Sequence, residues 1–348
     1  MKDSREFLID LVRVRSTSGM EKEAVDYLVK TLPAMGWEEV FSDGEGNLVA
    51  SKGSGSKELV LLCHVDTVPG GPAFRVEENI LWGRGSVDAK GPLCALAVAG
   101  GASTVPDGWK ITLIAAVREE TDSGGARFRI RLHSPAACIV GEPSGTDGVT
   151  LGYRGSLRIM IKGEDGGAHR SGDSGPLTGC LMASAEIIKA VGMMDIPEKP
   201  VIERTSAAVA FMEGKEEGRR VGTVDLDIRI PIGEEPERWV KIAEKSAAKW
   251  GVRACASFSV KAHKVSNGDP VVRAFRVGIR KGGLKPRLLA KGGTADFNLA
   301  AAWKCPMAAY GPGDSHLDHT DTEKIDLDEY DLAISVLEEV IPGIMDSL

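Results

Sequence analysis

The sequence is poor in cysteine and has no cysteine pair at metal-binding spacing. Its 348 residues include six cysteines, which stand singly along the chain without any C-x-x-C pair. Isolated cysteines in a long chain are typical of small buried side chains. We therefore predict neither a disulfide framework nor a thiolate zinc site. The six are Cys63, Cys94, Cys138, Cys180, Cys255 and Cys305.

The sequence also lacks a run of about 18 apolar residues, the length that a membrane-spanning helix needs. The N-terminal string MKDSREFL has no charged-then-apolar leader pattern. We therefore predict a cytoplasmic protein with no membrane partner. An excess of basic residues is absent as well, because 43 Lys and Arg stand against 50 Asp and Glu. General nucleic-acid binders are usually basic, so we predict no nucleic-acid partner.

Three continuous apolar runs predict a buried sheet. They cover residues 58–66, 109–120 and 137–143, and such runs are typical of strands that are covered on both faces. Each run ends in histidine or carboxylate residues, and open α/β sheets bind ligands at the carboxyl ends of their strands. We therefore expect a rim of charged side chains. Its members are His64, Asp66, Glu119, Glu120 and Glu142.

Between these runs and beyond them, helices are predicted at several places. One should begin at Ser18, because Glu21 follows three residues later in a capping-box arrangement. The small-residue run 91–103 is predicted to be helical, and so is 271–283, which ends in a glycine pair.

The pattern of apolar and polar residues changes after about residue 152. Apolar and polar residues alternate along 156–164 and 223–230, as in antiparallel strands with one wet face. Helical periodicity covers 177–191 and about 236–250, so this stretch predicts a small α+β domain.

The length of the chain favours two domains. It has 348 residues, 43% of them hydrophobic, which exceeds the size of one typical domain. The simplest arrangement is a mixed-sheet α/β/α catalytic domain made of 1–151 and 266–348. A smaller α+β domain is then inserted at 152–265.

The six histidines of the chain limit where a histidine-ligated metal could bind. His64 and Asp66 stand two residues apart at a strand end, so both side chains point to the same side. One could bind metal while the other orients it, although a surface hydrogen bond would use the same pair. His133 and His263 are predicted to be surface residues, and His316 could be a spare ligand or a residue that supports a ligand.

Carboxylates complete the candidate site. Asp88 stands between glycines that allow close approach to a metal or substrate, although such loops are usually turns. Glu119 and Glu120 are adjacent, and nearby cations would relieve their repulsion and lost hydration; a solvated acidic turn is the alternative. Glu142 ends another strand, and His319 lies in a Gly-rich loop before the last helix.

These ordered motifs resemble the dinuclear zinc family of acetylornithine deacetylase, succinyl-diaminopimelate desuccinylase, aminoacylase and related carboxypeptidases. The match covers nearly the whole chain. The strings that carry it are HVDTVPG, GRGSVDAKGP, REETDSGGA, VGEPSG, YRGS, GGAHRSG, DIR, GGTAD and YGPGD with HTDTE. The resemblance implies an α/β zinc-peptidase domain whose inserted ferredoxin-like domain serves as lid and dimerisation domain, hence a homodimer.

The resemblance also implies two zinc ions per subunit, for which cobalt could substitute. The implied ligands are His64 and Glu142 for one ion, Glu120 and His319 for the other, and Asp88 as the bridge. The peptide bond between Asp88 and Ala89 is a candidate for the cis form.

Further roles follow from the same resemblance. Glu119 would be the general base and Asp66 would position His64. His169 would stabilise the tetrahedral intermediate, typically in the site of the partner subunit. A grip on the substrate carboxylate is implied for Arg229, Gly292, Gly293 and Thr294.

The short chain and its YGPGDSHLDHT ending look most like one branch of the family. That branch hydrolyses the isopeptide bond by which lysine or ornithine is held on the C-terminal glutamate of an acidic amino-group carrier protein, LysW. The alternatives are deacylation of a small N-acyl amino acid, such as N-acetylornithine or succinyl-diaminopimelate, a dipeptidase or carboxypeptidase, and a non-catalytic binding protein. The intact ligand set argues against the last.

Many relatives carry Asn-Val-Ile-Pro before the DIR string, where this chain has RRVGTVDL.

Arginines could form a basic docking surface for an acidic carrier. In a chain with 27% charged residues, ordinary solvated surface is the alternative. The candidates are Arg127, Arg129, Arg131, Arg154, Arg170, Arg219 and Arg220.

Overall fold

The computed structural model describes residues 3–169, 174–215 and 217–348. The chain divides into two compact units. Unit 1 contains the chain up to Leu151 together with Val265–Leu289 and Ala295–Leu348. Unit 2 contains Gly152–Lys264 and Ala290–Thr294.

Strands and helices follow one another along both units. The strands are β1 Glu39–Ser42, β2 Leu48–Lys52, β3 Lys57–His64, β4 Arg75–Glu77, β5 Ile80–Trp82, β6 Trp109–Ala116, β7 Ala137–Gly141, β8 Gly148–Tyr153, β9 Gly155–Asp165, β10 Ser206–Lys215, β11 Arg220–Ile230, β12 Arg253–Val260, β13 His263–Lys264, β14 Arg287–Lys291, β15 Met307–Tyr310 and β16 Lys324–Asp326. The helices are α1 Ser4–Arg13, α2 Lys22–Thr31, α3 Lys90–Ala102, α4 Gly124–Ile130, α5 Gly175–Met194, α6 Pro236–Lys249, α7 Pro270–Lys281, α8 Asp296–Ala300 and α9 Leu327–Ser347.

Unit 1 is built on a mixed sheet with the strand order β1-β2-β6-β3-β7-β15-β8. The central strands β6, β3, β7 and β15 run parallel, whereas β1, β2 and β8 pair antiparallel with their neighbours. The helices α3 and α7 pack against this sheet, and α9 packs against both helices. The mixed α/β class predicted from the apolar runs is confirmed.

The parallel strands bring their carboxyl ends to one edge of the sheet. In the register of the sheet, His64 at the end of β3 pairs with Ala116 at the end of β6. Cys63 pairs with Gly141, the last residue of β7. The residues that follow these three strands therefore begin from neighbouring positions on a single edge, as the pattern predicts.

Unit 2 is an α+β structure with its own core. Its sheet is antiparallel, with the order β10-β11-β9-β12, and α5 and α6 pack against it. The alternation along β9 and β11 is reflected in burial, since Leu157, Ile161, Leu226 and Ile228 are fully buried. The α+β prediction for this stretch is confirmed.

The capping box predicted for the second helix is wrong. The helix α2 begins at Lys22, after Glu21, and its N-terminus has no side-chain cap. Ser18 Oγ instead donates a hydrogen bond of 2.6 Å to Asp66 Oδ2, and Glu21 Oε1 accepts from the backbone amide of Arg118 at 3.1 Å. Both side chains are drawn into tertiary contacts, which outweigh the local cap.

One helix in the described part of the chain, α5, is long and apolar enough by length and composition to cross a membrane. The core helix of a globular unit meets the same criterion. Cys180, Ala183 and Ile187 on this helix are fully buried in the core of unit 2. Four of the six cysteines are buried, as predicted, whereas Cys255 is exposed and Cys305 is half-buried.

Candidate metal centre

The carboxylate of Asp88 faces two histidines from distant parts of the chain. Its Oδ1 lies 3.1 Å from His64 Nε2, and its Oδ2 lies 3.1 Å from His319 Nε2. Each oxygen of one carboxylate thus has its own imidazole partner. This is the arrangement that a carboxylate needs in order to lie between two cations.

A second carboxylate joins the same cluster. Glu120 Oε1 lies 2.9 Å from His319 Nε2. One ligand atom each from His64, Asp88 and Glu120 lies within 4.8 Å of the other two. Imidazole nitrogens and carboxylate oxygens at this spacing are a donor set that suits zinc.

The loop that carries Asp88 contains glycines at positions where other residues would not fit. The Asp88–Ala89 bond is cis, the form that the family resemblance leads one to expect. Gly85 has a left-handed φ of +86°, and a Cβ on Gly91 would approach Ser86 O at 2.5 Å. Gly85 is therefore required for the turn that precedes α3, and Gly91 for the close approach of the first turn of α3 to Ser86.

Asp66 joins two neighbouring strand ends. Its Oδ1 and Oδ2 accept hydrogen bonds from the backbone amides of Glu119 at 3.0 Å and Glu120 at 3.1 Å. His64 Nδ1 lies 3.0 Å from the carbonyl oxygen of Asp66 and 3.5 Å from its Oδ1. Asp66 therefore holds the Glu pair and lies beside His64.

The electrostatics of the cluster favour bound cations. Hydrogen bonds to Asp88 and Glu120 raise the pKa of His319 to about 10. Burial favours the neutral form of His64, yet hydrogen bonds to Asp66 and Asp88 raise its pKa well above the usual range. The carboxylates thus create a strongly negative potential, which the donor set could satisfy with metal ions in place of protons.

Glu119 has a different environment from Glu120. Burial raises the pKa of Glu119 well above its usual range, and the charges of Asp296, Glu142 and Glu120 raise it further, while His64 opposes them. A carboxyl group with a raised pKa binds a proton more readily than an ordinary glutamate does, which general acid–base catalysis requires. Glu119 therefore suits proton transfer.

Glu142 follows the end of β7, as the rim prediction requires. It is 8% exposed, and its backbone amide donates to Tyr310 O at 3.3 Å. Its charge contributes to the raised pKa of the buried Cys63 thiol, for which burial itself is the main cause. The side chain therefore lies within electrostatic reach of the β3 end.

Asp296 is a buried carboxylate beside the cluster that the sequence did not single out. It is 2% exposed at the start of α8. Burial raises its pKa to about 7, the charge of His64 lowers it, and the charge of Asp66 raises it. It belongs to the GGTAD string, which carried the family resemblance but gave no signal for this particular residue.

The residues of the predicted carboxylate grip meet in unit 2. Arg229 Nη1 donates to Thr294 Oγ1 at 3.1 Å, and Thr294 Oγ1 donates to Arg154 O at 2.9 Å. Arg154 Nε donates to Gly292 O at 2.7 Å, and Gly293 lies between these two positions in the chain. His169 is exposed in the segment that follows β9.

The prediction that His133 is a surface residue is wrong. Its side chain is 7% exposed, and its Nδ1 lies 3.0 Å from Glu58 Oε2. Arg129 Nη2 lies 2.5 Å from the other ring nitrogen. His316, in contrast, is 91% exposed and bonded to Asp314, apart from the metal-site cluster.

The predicted arginine surface is wrong in part. Arg220 is 1% exposed and bonded to Asp165, and Arg129 is 8% exposed. Arg154 bonds to Gly292 as described above, whereas Arg219 is exposed and paired with Glu164 at 2.8 Å. Arg170 lies outside the described residues. The buried arginines cannot contribute to docking.

Comparison with known proteins places these motifs in a family context. The profile of Peptidase family M20/M25/M40 matches residues 60–342. A [LysW]-lysine hydrolase of Deinococcus radiodurans is 35% identical over 96% of this chain and 95% of its own length. A Thermococcus kodakarensis protein, assigned provisionally as a [LysW]-lysine/[LysW]-ornithine hydrolase, is 36% identical over 97% of this chain and 90% of its own length.

Solved structures share the fold at lower identity. The M20 family metallo-carboxypeptidase Sso-CP2 of Sulfolobus solfataricus superposes with a TM-score of 0.82 at 18% identity, and all of both chains is covered. A dinuclear metal binding peptidase of the M20 family from Bacillus subtilis gives a TM-score of 0.68 at 15% identity over 99% of this chain and 98% of its own.

Proposed function

This chain belongs to peptidase family M20/M25/M40, and we propose that it releases lysine or ornithine from an amino-group carrier protein of the LysW type. The reaction is hydrolysis of the amide, or isopeptide, bond to the C-terminal glutamate of the carrier. The observation that supports amide hydrolysis is the Asp88 carboxylate, whose two oxygens contact one histidine each, His64 and His319. The choice of carrier is supported by relatives that bear this activity in their names and align over nearly the full length.

The proposed cofactor is a pair of zinc ions, for which cobalt can substitute. The proposed ligands are His64 and Glu142 for one ion, Glu120 and His319 for the other, and Asp88 for both. Bound zinc supplies Lewis acidity, which polarises an amide carbonyl and acidifies a water molecule. The support lies in the mixed carboxylate and imidazole set and in the raised pKa values of both histidines.

Glu119 is the proposed proton carrier. Its raised pKa makes the carboxyl group able to accept a proton from the attacking water and to deliver it to the leaving amine. Asp66 fixes the backbone of Glu119 through a hydrogen bond of 3.0 Å. The role of Asp66 is therefore to hold the proton carrier as well as to orient His64.

Unit 2 is the proposed lid and dimerisation domain. In it, Arg229 with Gly292, Gly293 and Thr294 would bind a carboxylate of the substrate, since a guanidinium and a glycine-rich turn offer donors to an anion. The proposed role of His169 is to stabilise the developing oxyanion in the site of the partner subunit.

The proposed homodimer would form through the edge of the unit 2 sheet. The strand β10 is an edge strand, and Val209, Phe211 and Met212 on it are 51%, 48% and 53% exposed. Edge strands with exposed apolar side chains are prone to pair with another chain. We further propose a cytoplasmic location in lysine or arginine biosynthesis, because the products are free amino acids.

A substrate panel tests this function. The purified enzyme is given carrier protein charged with lysine or ornithine, Nα-acetyl-lysine, N-acetylornithine, succinyl-diaminopimelate and a dipeptide, and kcat/KM is measured for each. We expect the highest value for a charged carrier. A higher value for a small acyl amino acid or the dipeptide would overturn the carrier proposal while leaving amide hydrolysis in place.

A further inference from the structure

Glu323 is a buried carboxylate that holds the backbone of the Asp88 loop. It is 0% exposed, and its Oε1 alone accepts three hydrogen bonds. The donors are the backbone amides of Gly85 at 2.9 Å, Val87 at 3.0 Å and Asp88 at 3.1 Å. Three amides that converge on one oxygen fix the path of the loop immediately before the carboxylate between the histidines.

The second carboxylate oxygen of Glu323 accepts a hydrogen bond from a side chain of the same loop. Arg84 Nη1 donates to Glu323 Oε2 at 2.5 Å, and the Arg84 side chain is only 12% exposed. The backbone carbonyl of Glu323 accepts from the amide of Gly83 at 3.3 Å. The carboxylate therefore has a partner at each oxygen, and its charge is balanced by a guanidinium where water has little access.

Glu323 also lies four residues after His319 in the chain. His319 Nε2 contacts Asp88 Oδ2 at 3.1 Å, while Glu323 accepts from the Asp88 amide. The segment 319–323 thus contacts the side chain of Asp88 through His319 and its backbone amide through Glu323. The two contacts set the position of the Asp88 carboxylate relative to His319.

We propose that Glu323, together with Arg84, is a positioning residue for the Asp88 carboxylate and thereby sets the affinity of the centre for both metal ions. Glu323 acts through the loop backbone, and the inference rests on the proposed metal centre. If Glu323 and Arg84 formed only a structural ion pair, replacing either residue would lower stability and leave the metal affinity of the folded protein unchanged. If Glu323 is a positioning residue, replacing it lowers metal affinity in protein that is still folded.

Glu58 offers a matched control. It is another buried carboxylate of unit 1, 7% exposed, with an ion pair to Lys110 at 3.1 Å. It lies six residues before His64 on β3 and hence about 20 Å along the strand from that ligand. Replacing it removes a comparable buried charge without touching the Asp88 loop.

The experiment compares Glu323→Met, Glu323→Gln and Glu58→Met with the wild-type protein. Metal affinity is measured by chelator competition, the geometry of the site by the visible spectrum of the Co²⁺ form, and folding by thermal unfolding. We expect Glu323→Met to bind both ions about 10- to 100-fold more weakly and to alter the Co²⁺ spectrum. Glu323→Gln, which keeps an acceptor oxygen for the amides, should recover part of the loss. Glu58→Met should lower the melting temperature but keep the wild-type affinity and spectrum.

Wild-type affinities and spectrum in both Glu323 variants would overturn the proposal, and so would an equal loss in Glu58→Met. If Glu323→Met does not fold, Arg84→Met provides the same test, because it releases Glu323 Oε2 and leaves the carboxylate in place. Unchanged metal affinity in that variant would overturn the positioning role. A wild-type protein that binds no pair of divalent ions would instead overturn the metal centre, which distinguishes the two failures.

Discussion

The backbone amide of Glu119 donates a hydrogen bond of 3.0 Å to Oδ1 of Asp66. Asp66 follows the end of β3 and Glu119 follows the end of β6, so this bond joins two neighbouring strand ends. Asp66 is 0% exposed, and burial favours its neutral form, yet hydrogen bonds with His64 and Ser18 lower its pKa. The proposed proton carrier is thus fixed by a carboxylate that stays ionised.

Asp66→Asn is expected to damage the site and the fold together. The amide nitrogen would replace one acceptor oxygen and face a backbone amide, which leaves buried groups unsatisfied at a cost of about 1–3 kcal/mol. We expect a drop in kcat of about 10- to 100-fold and weaker metal binding. Urea unfolding, metal content and steady-state kinetics measure these effects. Ser18→Ala, which removes one donor to Asp66, is the milder control.

Glu119→Gln should abolish turnover while the protein keeps both metal ions. The substitution removes the proton carrier but not a proposed ligand, and general acid–base catalysis contributes about 10²–10⁴-fold. Metal analysis and kcat on charged carrier check both parts. Full activity would reject the proton-carrier role, and loss of metal would make Glu119 a ligand.

Removal of metal should abolish activity reversibly. We expect a chelator to inactivate the enzyme and Zn²⁺ or Co²⁺ to restore it, because the proposed chemistry depends on Lewis acidity. His64→Ala lacks one proposed ligand, so added metal should restore it poorly. Activity measured after dialysis against the chelator and again after metal addition shows both results. Full activity in metal-free wild-type protein would contradict the proposed centre.

The proposed dimer can be tested with two phenylalanines on edge strands. Phe211 on β10 is 48% exposed, and Phe41 on β1 is 45% exposed. We expect Phe211→Glu to shift the protein towards monomer in sedimentation velocity, because a charge would be buried in the proposed interface. Phe41→Glu should leave the oligomeric state unchanged. The same oligomeric state in both variants would show that β10 is not part of the interface.

The lowered pKa of Glu58 leads us to expect that the free energy of unfolding depends on pH. Burial opposes its ionisation, but hydrogen bonds from His133 and Thr112 outweigh burial and lower the pKa of Glu58 from 4.5 to about 2. Since the folded pKa lies below the unfolded pKa, the stabilisation is complete above about pH 4.5. It is lost as the pH falls through 2.

Glu58→Gln is therefore expected to lower the free energy of unfolding at pH 7 by about 1–3 kcal/mol. The difference from wild type should shrink as the pH falls from 4.5 to 3, because the carboxylate takes up a proton in the unfolded wild-type chain while it stays ionised in the folded protein. Denaturant unfolding of both proteins at several pH values measures it. A difference that does not depend on pH would show that Glu58 stabilises by packing.

Features that depend on local pattern could be predicted from the sequence. The continuous apolar runs gave β3, β6 and β7, and strand ends in a parallel sheet share one edge, so the proximity of His64, Glu119 and Glu142 followed. The alternation in β9 and β11 gave the antiparallel sheet in the same way.

Features that depend on distant partners could not be predicted. The side chain of His133 is largely buried because it contacts Glu58, 75 residues earlier in the chain. The Ser18 hydroxyl donates to Asp66, 48 residues later in the chain, instead of capping the second helix. Arg220 is buried because the β9–β11 register places it opposite Asp165. No local pattern encodes such pairings, so sequence alone predicts isolated polar residues at the surface or at a helix cap.

The contact between His319 and Asp88 has a consequence for synthesis in the cell. The two residues are 231 positions apart in the chain. A nascent chain therefore lacks this imidazole until 231 further residues have followed Asp88. Any fragment that ends before it, whether from premature termination or proteolysis, carries the other four proposed ligands without the fifth. Such fragments would be inactive even where the rest of the sheet has formed.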